Sequence, residues 1–272
     1  MPLLLMPDPH RFDAHAIASQ AAALAQHLKR SGVPCWPRPR PEQVARWSEQ
    51  LQPSPQEIRP TETQPLPMVA TQTVARPESA MAADQRQPQL DLIRQEVSAC
   101  QRCEQLASCR LQTVFGEGNP SPRFVFFGEG PGAEEDKTGR PFVGLAGQLL
   151  TKMMAACKLQ REDVYILNTV KCRPPGNRNP LPTEIENCRE YYQRQLAILR
   201  PEYIVCLGAI STHELLRNDL PIGQLRGQLH RYFESKVLVT YHPAYLLRNP
   251  AAKKAAWQDL QLLMRDAGIP LS

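Results

Sequence analysis

Four short apolar runs constrain this chain most: Phe124–Phe127, Val164–Leu167, Tyr203–Leu207 and Val237–Tyr241. Each is the length of a strand, and each lacks the polar alternation of a strand with one wet face. They read as strands buried on both faces. About thirty residues separate each from the next, too many for hairpins and enough for a crossover helix. Helical spacing fills the gaps. Leu149, Leu150, Met153 and Met154 mark one helix, and Ile185, Tyr192 and Leu196 a second. Shorter patterns cover Ser211–Leu216 and roughly Ala251 to Arg265. Thr183-Glu184-Ile185-Glu186, with Pro182 just outside, predicts a capping box at the start of the second helix. Strand–helix alternation of this kind implies an α/β fold, a three-layer α/β/α sandwich around a four-stranded parallel sheet.

Ligands of open parallel sheets bind beyond the carboxyl ends of the strands. The residues just past each run are therefore a test for function. Gly128-Glu129-Gly130-Pro131-Gly132 comes after the first, then Glu134, Glu135 and Asp136; Asn168 comes after the second, Gly208-Ala209 after the third, and His242-Pro243-Ala244-Tyr245 after the fourth. A glycine-rich turn, an amide and an imidazole thus fall on one rim. The glycine turn is a poor match to G-x-G-x-x-G, no G-K-[ST] occurs, and its acids would repel a pyrophosphate. Glu134 reads most simply as part of a solvated acidic turn.

The amino-terminal third differs. Ile17, Ala21, Leu24 and Leu28, then Val44, Trp47 and Leu51, have helical spacing, which suggests a small helical extension over residues 1–52 able to bind an unknown protein partner. Residues 53–89, rich in Pro and Gln, read as a disordered linker. Residues 90–272 carry the globular pattern, beginning with a helix through Leu90, Ile93 and Val97 that delivers Cys100 and Cys103. A net charge of +5 is compatible with a polyanion without requiring one. No stretch approaches the ~18 apolar residues of a membrane span, and no signal peptide is evident. The expectation is a cytoplasmic, nucleoid-associated monomer. There the eight cysteines would be thiols rather than disulfides. Cys100 and Cys103 form a C-x2-C pair, and Cys172 and Cys188 a wider one, a pattern that suits either zinc or an iron–sulfur cluster. Cys109 competes as a ligand in C-x2-C-x5-C, Cys157 and Cys206 read as core, and Cys35 lies in the extension.

Several motifs, in order, resemble the family 4 uracil-DNA glycosylases: the Gly128–Gly132 turn; Gly139-Arg140-Pro141-Phe142-Val143-Gly144-Leu145-Ala146-Gly147-Gln148-Leu149-Leu150; Asn168 with Lys171-Cys172-Arg173-Pro174-Pro175 and Asn177-Arg178; and His242-Pro243-Ala244-Tyr245-Leu246-Leu247-Arg248. The resemblance runs from about Cys100 to the end. It implies a DNA-repair enzyme that hydrolyses the N-glycosidic bond of uracil in single- or double-stranded DNA and leaves an abasic site. It also implies a structural 4Fe–4S cluster on Cys100, Cys103, Cys172 and Cys188, without Cys109.

On that resemblance, Phe142 stacks on an extruded uracil and Asn168 reads its Watson–Crick edge. Glu129 and Gly130 complete the pocket, and His242 donates to O2 as the bond breaks. Better-known families carry Asp or Asn where this chain has Gly130. Glu129, Glu135 and Asn177 are the candidates to position water. Arg173, Arg178 and Arg248, with Lys253 and Lys254, would contact phosphates, and Leu246 or Leu247 would wedge into the vacated stack. Two rivals are an electron-transfer module holding iron–sulfur or zinc, and a glycosylase for another damaged base.

Overall fold

The computed structural model describes residues 83–270, all within one folding unit, Ala75–Ser272. The expected extension over residues 1–52, most of the linker and Cys35 lie outside the described residues. The elements in chain order are α1 (Ala83–Ser98), α2 (Glu104–Cys109), β1 (Glu117–Gly118), β2 (Phe124–Gly128), α3 (Ala133–Thr138), α4 (Leu145–Ala156), β3 (Tyr165–Asn168), α5 (Pro182–Leu199), β4 (Tyr203–Leu207), α6 (Ala209–Leu216), α7 (Ile222–Leu225), β5 (Leu229–Tyr232), β6 (Ser235–Thr240), α8 (Pro243–Arg248) and α9 (Lys253–Asp266).

The four apolar runs are the four parallel strands, ordered β3-β2-β4-β6. Two antiparallel strands extend them to a six-stranded sheet, β1 beside β3 and β5 beside β6. The expected sheet of four strands was thus two edges short. The reason is physical: β1 is two residues long, and no residue of β5 is fully buried, so neither carries an apolar run.

Alternate side chains of each central strand go to opposite layers. Val125, Phe127 and Leu167 pack with Leu90, Ile93 and Val97 of α1 and with Tyr192 and Leu196 of α5. Phe126, Ile166 and Val205 pack with Leu150 and Met154 of α4 and with Leu260, Leu263 and Met264 of α9. Helices therefore cover both faces, as the sandwich requires.

Two boundaries moved. Helix α1 starts at Ala83, so the linker ends earlier than residue 89 and Pro88 sits inside the helix. Its polar first turns are tied down by tertiary contact, with the Arg86 guanidinium donating to the Leu199 carbonyl at 3.0 Å. Helix α5 is capped at Leu181 rather than Thr183, with Pro182 as its first residue. The fixed φ of proline suits that position, and the Glu184 carboxylate accepts from the Leu181 N–H at 2.7 Å.

Register sets up the rim. Gly128 is opposite Asn168 across β2 and β3, and Leu207 is opposite Thr240 across β4 and β6. The glycine turn and the amide therefore leave the sheet side by side, as do Gly208 and His242.

Candidate active site

A cavity of about 500 Å³ opens at these strand ends, lined among others by Glu129, Gly130, Glu135, Phe142, Asn177, Arg178, His242 and Arg248. The aromatic ring and the imidazole meet there, their centroids 5.6 Å apart at 36°. Asn168 sits behind the wall, 1% exposed. A Cβ on Gly128 would lie 2.4 Å from its Oδ1 and 2.6 Å from Phe142 Cζ. Ring and amide thus press on one glycine, and no side chain fits between them. Asn168 Oδ1 has no hydrogen-bond partner, which costs about 1–3 kcal/mol for a buried acceptor. Such an orphan, set behind the Phe142 ring that lines the cavity, is a place for a ligand's N–H.

His242 caps α8. Its Nδ1 accepts from the Ala244 N–H at 3.1 Å, so that nitrogen carries no proton and the other one does. Burial pulls the imidazole down to about 4; the nearby Arg248 charge adds to this and Glu135 opposes it. At neutral pH the ring is therefore uncharged with a protonated Nε2, a donor and not an acid. Gly208, at φ +93°, lets the chain pass close by, since a Cβ there would lie 3.0 Å from His242 Cβ.

Phe142 is held in the left-handed region, φ +53°, uncommon for a bulky side chain. The Glu135 carboxylate accounts for part of this. It accepts from the Val143 and Gly144 N–H groups, both at 2.8 Å, and from Gly132 N–H at 3.1 Å. Glu135 joins the two loops of the site and has little capacity left to activate water. Asn177, also at positive φ, gives its side-chain oxygen to Arg173 Nε at 2.7 Å. Glu129 is the remaining acid, half-buried, with no hydrogen bond to its carboxylate among the described residues, and burial raises its pKa. A side chain on Gly130 would meet Val170 Cγ2 at 2.8 Å, a steric reason for glycine at that position. Glu134 pairs with Lys137 in solvent, as expected of an acidic turn.

Gly147 was legible only as part of a motif. A Cβ on it would fall 1.8 Å from the Phe142 carbonyl oxygen. Gly147→Ala is expected to cost about 1–3 kcal/mol by overpacking, which is roughly 3–10 °C in Tm, and to displace the ring. Thermal unfolding alongside single-turnover kinetics checks this; an unchanged Tm and rate would remove the close approach.

The expected phosphate contacts separate. Arg178 is committed to Glu184 through both terminal nitrogens, at 2.8 and 2.6 Å, and to Gln105 at 2.9 Å; its charge belongs to the start of α5 rather than to an incoming anion. Arg173 is half engaged, with Asn177 and with Asp136 at 4.0 Å. Arg248, Lys253 and Lys254 are exposed and make no ion pair among the described residues. Leu246 is core at 1% exposure, whereas Leu247 is 42% exposed beside Arg248.

The four cysteines come from three segments that meet at one end of the domain. Arg110 donates to Cys172 Sγ at 3.1 Å and to the Cys100 carbonyl at 2.7 Å, and Asn187 donates to Cys103 Sγ at 3.4 Å. Lys171 is fully buried near Cys172 and Cys188; burial pulls its amine down to about 7, against the opposing influence of those two sulfurs. The Arg110 and Asn187 donors aimed at sulfur suit thiolates better than thiols. Among the described residues no three His, Cys, Asp or Glu side chains converge on one metal ion. A cubane does not ask for that, because each thiolate binds a different iron. Cys109 is exposed and outside this group, while Cys157 and Cys206 are buried core.

The uracil DNA glycosylase superfamily model matches residues 115–261. The type-4 uracil-DNA glycosylase of Thermotoga maritima is 45% identical over 166 residues, 60% of this chain and 86% of the relative. This chain belongs to the type-4 branch of the uracil DNA glycosylase superfamily. The type-4 enzyme of Archaeoglobus fulgidus is 42% identical over 180 residues, 63% of this chain and 90% of that protein. A type-5 uracil-DNA glycosylase of Thermus thermophilus is more distant, at 30% over 154 residues, 45% of this chain and 69% of the relative. The superfamily match covers every strand and the whole cavity wall. Among the described residues no helix is long and apolar enough to cross a membrane.

Proposed function

We propose that this chain removes uracil from DNA by hydrolysing its N-glycosidic bond, leaving an abasic site. Membership in the uracil DNA glycosylase superfamily supports this. The observation that carries it is the neutral His242, its Nδ1 held by Ala244 N–H and its protonated Nε2 left for the cavity beside Phe142.

A base within a duplex must leave the stack to be reached. Phe142 offers it a ring face, and the orphan Asn168 oxygen accepts from N3–H while the amide nitrogen donates to O4. As the bond to the sugar lengthens, negative charge gathers on O2 and the His242 Nε2–H meets it. Glu129 is the carboxylate with capacity left to hold the attacking water. Arg248, with Lys253 and Lys254, takes phosphates, and Leu247 fills the gap left by the flipped nucleotide. A 4Fe–4S cluster fits Cys100, Cys103, Cys172 and Cys188, and when bound it ties these segments together without entering the chemistry.

Iron-replete protein incubated with a uracil-containing oligonucleotide, then alkali, is expected to cut the strand at the uracil, and a thymine control is not. Intact uracil strand would reject the activity. Asn168→Ala is expected to lower the rate on uracil by about 10- to 200-fold, the range for losing one well-placed contact of ~1.5–3 kcal/mol. An unchanged rate would show that the amide does not read the base.

A further inference from the structure

Arg161 was flagged by no motif, yet its guanidinium reaches the backbone on which the stacking ring is mounted. It lies between α4 and β3 and donates to the Pro141 carbonyl at 2.7 Å and to the Phe142 carbonyl at 3.0 Å. Its own orientation is fixed by the Glu117 carboxylate of edge strand β1 at 2.6 Å, a pair with only 20% and 25% side-chain exposure. Glu117 is steadied in turn by Arg140 at 2.7 Å. Phe142 is thus gripped on both sides: its own and the preceding carbonyl by Arg161, and the two following N–H groups by Glu135.

A left-handed phenylalanine persists only where its surroundings over-determine it. Without the guanidinium, two carbonyls beside the strained residue lose their donors, and the ordinary φ region becomes accessible to Phe142. The ring would then leave the cavity face on which it meets His242.

We propose that Arg161, locked by Glu117, is a positioning residue that holds Phe142 in its strained, base-stacking conformation. This rests on the reading of Phe142 as the stacking ring. It also gives the two-residue edge strand β1 a role: it carries the counter-charge.

The test is a double-mutant cycle on iron-loaded, full-length protein, read by single-turnover cleavage of a uracil-containing duplex. Arg161→Gln is expected to slow cleavage by about 10- to 100-fold, the scale of an ångström of misplacement near the reacting atoms. Affinity for abasic-site duplex should stay within about twofold, because the guanidinium is spent on Glu117 and the two carbonyls. The deciding result is non-additivity: Arg161→Gln combined with Phe142→Ala should be no slower than Phe142→Ala alone. Multiplying losses would overturn the clamp while leaving the stacking role intact. An unaffected Phe142→Ala would remove the stacking role, and the clamp with it. If Arg161→Gln yields no folded, iron-loaded protein, the cycle is read with Arg161→Lys, which keeps the charge pair with Glu117 but cannot fork onto both carbonyls.

Discussion

Replacing His242 with alanine is expected to slow uracil release by about 10²–10³-fold, the loss seen when one donor to a developing oxyanion is removed. Affinity for uracil-containing DNA should change little, since a neutral N–H bonds weakly to a ground-state carbonyl and strongly to an oxygen gathering charge. Single-turnover rates and binding to a non-cleavable uracil analogue separate the two. Equal losses in both would make His242 a binding residue only. The pH dependence has a definite sign. Burial and Arg248 hold the imidazole down to about 4, against 6.5 for the free group, so the folded protein binds fewer protons than the unfolded chain between those values. The contribution to stability is complete above pH 6.5 and is lost as pH falls toward 4. His242→Ala should flatten that part of the stability profile. In the wild-type enzyme no activity step near pH 6.5 should arise from this ring.

If the proposed cluster is bound, stripping its iron is expected to be the most damaging change to the fold. Structural metal centres contribute on the order of 10 kcal/mol, comparable with the whole stability of a domain. The cysteines join the end of α1, the loop after β3 and the first turns of α5, so the loss would fray three segments together. It would also disturb the surroundings of Lys171, 1% exposed, whose Nζ donates to the Asn168 carbonyl at 2.9 Å. Damage should therefore reach the base-reading residue. Holoprotein should absorb broadly near ~400 nm, as iron–sulfur clusters do. Chelation of iron under mild oxidation should bleach that band and lower Tm by well over ~15 °C, taking uracil excision with it. A bleached protein that melts unchanged would refute a structural cluster.

The central layer was legible because burial on both faces writes itself as unbroken apolar text. Phe124–Phe127 and Tyr203–Leu207 needed no partner to be recognised. The edges were not, because β1 and β5 gain their strand state from a neighbour rather than from their own side chains. The same division holds at the site. Phe142, Asn168 and His242 come after strand ends or sit in motifs, and chain order pointed to one rim. What chain order does not encode is who is already engaged. Arg178 looked free and is held by Glu184; Glu135 looked like a base and is spent on three backbone N–H groups; Arg161, flagged by no motif, donates to the Pro141 and Phe142 carbonyls. One cue was available: His-Pro ahead of a helical run is a cap signal, and it settles the tautomer.

The bare oxygen behind the ring bears on fidelity. Cytosine vastly outnumbers its deaminated twin in any genome, and an enzyme that attacked it would be a mutagen. Cytosine presents a lone pair at N3 where uracil presents a hydrogen, so against the buried Asn168 Oδ1 it would set two acceptors face to face. On the proposed role of Asn168, the wrong base would be turned away by the same atom that welcomes the right one.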